Sequence, residues 1–364
     1  MPLNVLLVES FYGGSHAAFA DGLARHSRHT ITLVTLPAQN WRWRTRIAAF
    51  ELAAQVPDPQ RYDVALVTDL IDLGDLRAIW GRSCPPVLLY VHESQLTYPH
   101  PKDRNPDMNT ALQDIKNCLL ADGVLFNSQF HRSEFLKLTR ELVSRVPGEQ
   151  PLTWHDTLRD KSGVLYPGIE TDMLVGRPAH RIPRVLWSHR WEYDKRPRPF
   201  FRALAALAKE EVPFEVVVLG ENPQLKPVEF LNGKQALADR IIRWGYVESR
   251  REYWNWLCAC DVVVSTAIQE NFGIAMVEAI LAGCQPLLPR RLSYPEIVPA
   301  EFHQSVLYDS HAELTVRLRT LLQSIDPRQP GNAQLSAAMQ RYAWPVLALR
   351  YDDELTKIRL HRAS

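Results

Sequence analysis

The sequence has no apolar run long enough to cross a bilayer. Stretches such as Val185–Trp187 and Phe214–Leu219 fall far short of the roughly 18 residues a span needs. Cysteine is scarce: Cys84, Cys118, Cys258, Cys260 and Cys284 are the full set of five. An odd, scattered set argues against a disulfide framework. Cys258 and Cys260 have no second pair at zinc spacing, so buried thiols are the plain reading. Net charge is nearly absent, at +1 from 42 basic and 41 acidic residues. With no global field to attract nucleic acid or membrane, any polyanion site must be a local patch. No internal repeat or low-complexity tract is present, and no Asp-x-Asp string stands where it would hold a metal. Asp352–Asp353 is a pair of adjacent acids near the C-terminus.

The remainder is an ordinary globular composition, 46% hydrophobic and 23% charged over 364 residues. At roughly 100 to 200 residues per domain, that length predicts two domains. The opening MPLNVLLVES is apolar but too short for a signal h-region, and Glu9 ends it. It reads as a first strand, and the expected location is the cytoplasm.

Short apolar runs alternate with amphipathic stretches. Val5–Val8, Thr30–Thr35, Val64–Thr68, Val87–Val91 and Gly123–Asn127 read as strands, apolar on both faces as buried parallel strands are. His16–His26, Thr45–Gln55, Asn109–Ala121 and Ser128–Thr139 read as helices between them. Arg177–Pro183, with two prolines, reads as a linker. A second series follows, with strands at Arg184–Ser188, Glu215–Gly220, Ile241–Gly245, Asp261–Ser265 and Cys284–Leu288. Its helices are Ala203–Glu210, Arg250–Ala259 and Gly273–Ala282. The alternation predicts an α/β fold of two doubly wound halves with a cleft between them. Ligands in such sheets bind outside the carboxyl ends of the strands. Residues 346–364 read as one helix, from Leu347, Leu349, Tyr351, Leu355 and Ile358, with no docking site legible.

Glu270 and Glu278 are separated by seven residues in ENFGIAMVEA, just after the strand-like DVVVST. Gly273 lets the backbone turn tightly into a helix whose first amides are left free, an arrangement that binds phosphate. Glu278 then lies inside that helix, within reach of a sugar hydroxyl, and Glu270 on the loop before it. Two bare glutamates at this spacing read equally well as a surface acid and a helix acid. The pair Gly13–Gly14 follows the first strand and is by itself only a turn. His16 either stands near phosphates or caps the helix that starts there. Arg190 and Lys195 follow the first strand of the second half, where a loop facing the cleft is expected; an exposed basic loop is the alternative. His92 follows VLLYV, either as a sugar contact or as a satisfied structural histidine. Glu93 either bonds an acceptor diol or caps the next turn. Trp41-Arg42-Trp43-Arg44-Thr45-Arg46 interleaves rings and cations, which suits a single-stranded nucleic acid. On a strand, Trp41 and Trp43 would share one face and Arg42 and Arg44 the other. Tryptophans packed in the core, with arginines reaching to solvent, are the alternative. His100, Lys102 and Arg104 add positive charge in the loop after His92.

ENFGIAMVEA resembles the E-x7-E motif of retaining glycosyltransferases of the GT-B fold, in the large family called GT4. Gly13-Gly14-Ser15-His16, FNSQFHRSEF, LYPGIE and WSHRWEYDKRP fall in that family's order. The resemblance implies two Rossmann-like domains facing a cleft: 1–175 for the acceptor, 176–345 for the nucleotide sugar, and the helix 346–364. It implies that Arg190 and Lys195 neutralise the donor diphosphate, with Gly13, Gly14 and His16 nearby. Asn271, Phe272, Gly273, Ile274 and Glu278 then complete the donor site, and Glu270 and His92 act at the reacting sugar. Neither a cofactor nor a metal is expected.

FYGGSH, LPAQNWRWR and HESQLTYP are similar to the tRNA-queuosine mannosyltransferase group. This implies mannose transfer from GDP-mannose to the cyclopentene-diol of queuosine in a tRNA anticodon, although no residue by itself separates guanine from uracil in the donor. Ser15, Trp41, Arg42, Trp43, Arg44, Glu93, Tyr98, Asn127 and Ser128 are then expected on the acceptor side, with Pro99 shaping it. A nucleotide sugar and tRNA are the expected partners and a membrane is not; the oligomeric state is not legible. The alternatives are a GT4 enzyme acting on a small molecule, lipid or glycan, a non-catalytic GT-B-like RNA-binding protein, and a GT-B epimerase.

Overall fold

The computed structural model describes residues 1–99, 107–145, 153–220, 227–327, 329 and 331–361. His100, Lys102 and Arg104 therefore lie outside the described residues. The chain forms two compact units, Met1–Ile169 with Tyr342–Ser364, and Glu170–Arg341.

The first unit runs β1 (Asn4–Tyr12), α1 (Gly14–His26), β2 (Thr30–Pro37), α2 (Trp41–Ala54), β3 (Val64–Thr68), α3 (Leu73–Trp80), β4 (Val87–Val91), α4 (Met108–Leu120), β5 (Gly123–Phe126), α5 (Gln129–Val143), α6 (Thr153–Lys161) and β6 (Ser162–Val164). Its strands form one parallel sheet in the order β2-β1-β3-β4-β5-β6. Every residue of β3 and β4 is buried, because helices cover both faces of the sheet. This is why those segments read as unbroken apolar runs.

The second unit runs β7 (Arg184–Ser188), α7 (Pro197–Lys209), β8 (Glu215–Leu219), α8 (Val228–Ala236), β9 (Ile241–Gly245), α9 (Arg250–Cys258), β10 (Val262–Val264), α10 (Ile274–Leu281), β11 (Gln285–Pro289), α11 (Tyr294–Ile297), α12 (His303–Val306), β12 (Leu307–Tyr308), α13 (His311–Ser324) and α14 (Ala333–Met339). Its parallel sheet has the order β12-β11-β10-β7-β8-β9. Both sheets are doubly wound. Strand order reverses at β1/β3 in the first and at β7/β10 in the second, and a crevice opens at such a reversal at the carboxyl ends of the strands.

The last helix, α15 (Trp344–His361), belongs to the first unit, and this supplies the docking site that the sequence left open. Leu347, Tyr351, Leu355 and Ile358 are buried along one face, while Leu349 faces solvent. Trp344 fills the space beside Gly22 of α1, where a Cβ would lie 1.9 Å from the indole nitrogen. Asp352 is fully buried and accepts the Ser27 hydroxyl and the Arg28 amide, the latter at 3.0 Å. The adjacent acids are thus a clamp on the end of α1.

One local expectation fails. Residues 41–44 are helical, so the alternating faces of a strand do not exist there. Asn40 adopts a left-handed backbone, with φ of 50°, and turns the chain into α2 four residues earlier than the periodicity indicated. The unit boundaries fall at 169/170 and 341/342, where the sequence placed them at 175/176 and 345/346.

Candidate active site

In the second unit the loops after β7 and β10 flank the strand reversal and are tied together. The Ile268 amide donates to the Asp194 carbonyl at 2.8 Å. The Thr266 hydroxyl reaches the carbonyls of Lys195 and Arg196 at 3.0 and 2.6 Å. This frame holds Lys195 with 7% of its surface exposed. Its ammonium donates to the Gln269 carbonyl at 2.7 Å and lies 3.1 Å from Asp194 Oδ2 and 3.4 Å from Glu270 Oε2. Burial disfavours that charge, but the two carboxylates outweigh it and hold the lysine above its ordinary pKa. Arg190 is exposed and lies 3.4 Å from Glu192.

Gly273 caps α10 with φ of 92°, a left-handed conformation that L side chains rarely adopt, and no side chain caps this helix end. Ser293, fully buried, donates to the carbonyls of Glu270 and Phe272 at 3.2 Å each and so fixes the loop before the helix. Glu270 remains partly open, whereas Asn271 and Phe272 are buried and Ile274 is half-buried. Glu278 is 2% exposed and already engaged, since its two oxygens accept from Arg250 and, at 2.9 Å, from the Tyr253 hydroxyl. A donor hydroxyl would have to use a remaining lone pair.

In the first unit, Glu9 in the second half of β1 is fully buried. One of its oxygens accepts the Phe11 amide at 2.7 Å and the other meets His16 Nδ1 at 3.1 Å. His16 therefore pairs with Glu9 rather than capping α1. The histidine is buried, which lowers its proton affinity, but Glu9 dominates and its pKa rises to about 9. The ring of His92 lies 4.1 Å from that of His16, centroid to centroid. His92 is kept neutral by burial and by the neighbouring His16 and His131, with its pKa well below the ordinary value.

Asp69, just after β3, accepts the Glu93 amide at 2.9 Å through Oδ2, while its buried Oδ1 has no hydrogen-bond partner among the described residues. Burial pushes its pKa up to about 7. Asn127 donates to the His92 carbonyl at 2.7 Å and meets His131 Nδ1 at 2.9 Å. Ser128 is fully buried and caps α5 by accepting the His131 amide at 3.0 Å. These two residues are engaged inside the fold. Ser15 is exposed, and Glu93 and Tyr98 are half-buried. Among the described residues, Glu9, His16 and His92 have ligand atoms within 4.8 Å of one another, close enough for a metal ion. The proton that His16 holds at neutral pH competes with a cation for those atoms.

Glu9, Asp69, His189, Ser293, Arg250 and Tyr253 were missed in the sequence. The first two carried a usable signal, an acid standing in the second half of a buried strand or just after it. His189 is similar, buried after β7 and held neutral by burial and by Lys195 and Arg190.

Two doubly wound parallel sheets, with the acids of an E-x7-E loop and a buried lysine beside the first of them, define a glycosyltransferase of the GT-B fold. The fold is shared with a sucrose-phosphate synthase from Thermosynechococcus elongatus, at TM-score 0.76 and 14% identity over 99% of this chain and 100% of that one. Anabaena HepE in complex with UDP and glucose aligns at TM-score 0.68 and 14% identity, over 98% and 100%. Residues 176–333 match the family described as glycosyl transferases group 1. Residues 4–169 match the tRNA-queuosine alpha-mannosyltransferase N-terminal family. A Drosophila melanogaster tRNA-queuosine alpha-mannosyltransferase is 33% identical over 330 residues, 86% of each chain. The chain belongs to the tRNA-queuosine alpha-mannosyltransferase family. No described helix is long and apolar enough to cross a membrane.

Proposed function

We propose that this glycosyltransferase moves mannose from GDP-mannose, with retention, to the cyclopentene-diol of queuosine in tRNA, in the cytoplasm and without a metal. The observation that carries this reading is the match of residues 4–169 to the tRNA-queuosine alpha-mannosyltransferase N-terminal family. The second unit supplies the donor chemistry. Departure of the nucleoside diphosphate leaves negative charge on phosphate and an oxocarbenium-like sugar. Lys195 and the amides at the start of α10 meet the first charge, with the exposed Arg190 turning toward the phosphates as they arrive. Glu270 meets the second or orients sugar hydroxyls. It is not assigned as a covalent nucleophile; the diphosphate itself takes the proton of the attacking hydroxyl. In the first unit, His92 serves as a neutral hydrogen-bonding group for the sugar and Glu93 for the acceptor diol. Gly13, Gly14 and the protonated His16 favour phosphate.

The test is incubation with radiolabelled GDP-mannose or UDP-glucose and total tRNA, with and without queuosine. Label from GDP-mannose in queuosine-containing tRNA alone supports the reading. Label that ignores queuosine, or comes only from UDP-glucose, overturns it.

A further inference from the structure

Helix α2 carries an apolar face that the described residues of the first unit leave exposed. Trp43 is 65% exposed, Ile47 39% and Phe50 57%. At about 100° per residue, positions 43, 47 and 50 lie within roughly 60° of arc. Ala48, Ala49 and Leu52, on the opposite side, are buried in the core. An amphipathic helix should turn its large side chains inward; here two aromatic rings face out and alanines face in.

The flanks of this stripe are unequal. Glu51 is the only acid of α2, and it lies on one flank, paired with Arg44 at 3.3 Å. Arg42 and Arg46 lie on the other flank, both exposed and one helical turn apart. The Arg42 guanidinium stacks over the Trp41 ring at 4.6 Å, and Arg46 reaches far enough to act on Asp107. The stripe is thus apolar and aromatic, with positive charge along one edge.

We infer that this face binds unpaired nucleotides of an RNA, with bases stacked on Trp43 and Phe50, Ile47 filling the step between them, and phosphates along Arg42 and Arg46. The inference rests on the proposed RNA acceptor and extends it to Ile47, Phe50 and Arg46. The charge favours a polyanion, and exposed rings beside arginines suit single-stranded nucleic acid. The spacing fits as well. Seven residues of helix span about 10 Å, the rise of roughly three stacked nucleotides. The stripe also begins close to the site of the first unit. Ala38, just ahead of α2, packs so tightly on Gly13 that a Cβ there would lie 2.5 Å away. Nucleotides flanking a base held at that site would run outward along α2.

The experiment measures binding by fluorescence anisotropy to a labelled RNA hairpin whose loop lacks queuosine. A blunt RNA duplex and phosphatidylserine vesicles serve as comparisons, and no sugar donor is present. Loss of one stacked base is worth about 1–3 kcal/mol, so Phe50→Ala should weaken hairpin binding roughly 5- to 150-fold. Phe50→Tyr keeps the ring and should keep wild-type affinity, and the duplex should be insensitive to both. Unchanged hairpin affinity in Phe50→Ala overturns the proposal. So does a loss confined to vesicle binding or to self-association. Because no queuosine and no donor are present, failure of mannose transfer leaves this result intact, and the reverse also holds.

Discussion

The imidazole Nδ1 of His16 lies 3.1 Å from Glu9 Oε2, and both side chains are buried. A histidine with its pKa raised to about 9 binds its proton more tightly in the folded chain than in the unfolded one, where it titrates near 6.5. Its contribution to stability is complete below about pH 6.5 and is lost as pH rises through about 9. Glu9→Gln removes the largest of the charges that oppose burial, so His16 should then titrate well below 9. NMR titration of its ring protons checks this; a Glu9→Gln variant still titrating near 9 would refute the pairing.

A second alkaline liability lies deeper. Burial raises Asp114 to about 8 and Asp69 to about 7, each from 3.8. Both groups take up protons on folding, so their contribution is full below about pH 4 and fades as pH rises through 7 and 8. Asp114 accepts from the Ser94 hydroxyl at 2.7 Å and the Gln95 amide at 2.9 Å, and an asparagine oxygen can accept both. Asp114→Asn should therefore melt higher than wild type at pH 9, with a smaller gap at pH 5. Calorimetric melting at the two pH values decides it; equal losses in both proteins would count against a buried neutral acid.

Lys195 and Glu270 separate by their effects on the fold. Glu270 is partly open, so Glu270→Ala should fold normally and lose at least about 100-fold in kcat, the scale of one preorganised charge. Lys195→Ala leaves Asp194 buried without its cation, so it should lose activity and melt lower as well. Wild-type turnover in either variant would sink the assignment.

Ser128 distinguishes a cap from a substrate contact. As the α5 cap it should cost about 1 kcal/mol of stability when changed to alanine, with the KM for acceptor unchanged. A raised KM at unaltered melting temperature would return Ser128 to the acceptor side.

The frame of this molecule was legible because its strands are buried on both faces. Val64–Thr68 and Val87–Val91 match the structure to the residue. The loop at Glu270–Gly273 was legible from Gly273 and the flanking acids. Short-range helix geometry was not: nothing in WRWR announces that Asn40 takes a left-handed turn, so the stripe at Trp43, Ile47 and Phe50 stayed hidden. The buried partners Glu9, Asp69 and Ser293 were hidden for another reason. Their roles depend on residues between 7 and 24 positions away, brought near by sheet order rather than by periodicity.

The docking of α15 on α1 has a consequence for how the chain is made. The second unit is continuous in sequence, whereas the first is completed only by residues from Tyr342 onward. Where the chain leaves and re-enters the first unit, the Ile169 amide donates to the Tyr342 carbonyl at 2.8 Å and the Trp344 amide to the Ile169 carbonyl at 3.1 Å. Domains generally fold as units, the N-terminal one first during synthesis, but here the first unit includes residues made after the whole of the second. The later-synthesised unit can close its core while the earlier one still waits, with the Gly22 surface and the cradle for Asp352 exposed, for the last helix to emerge.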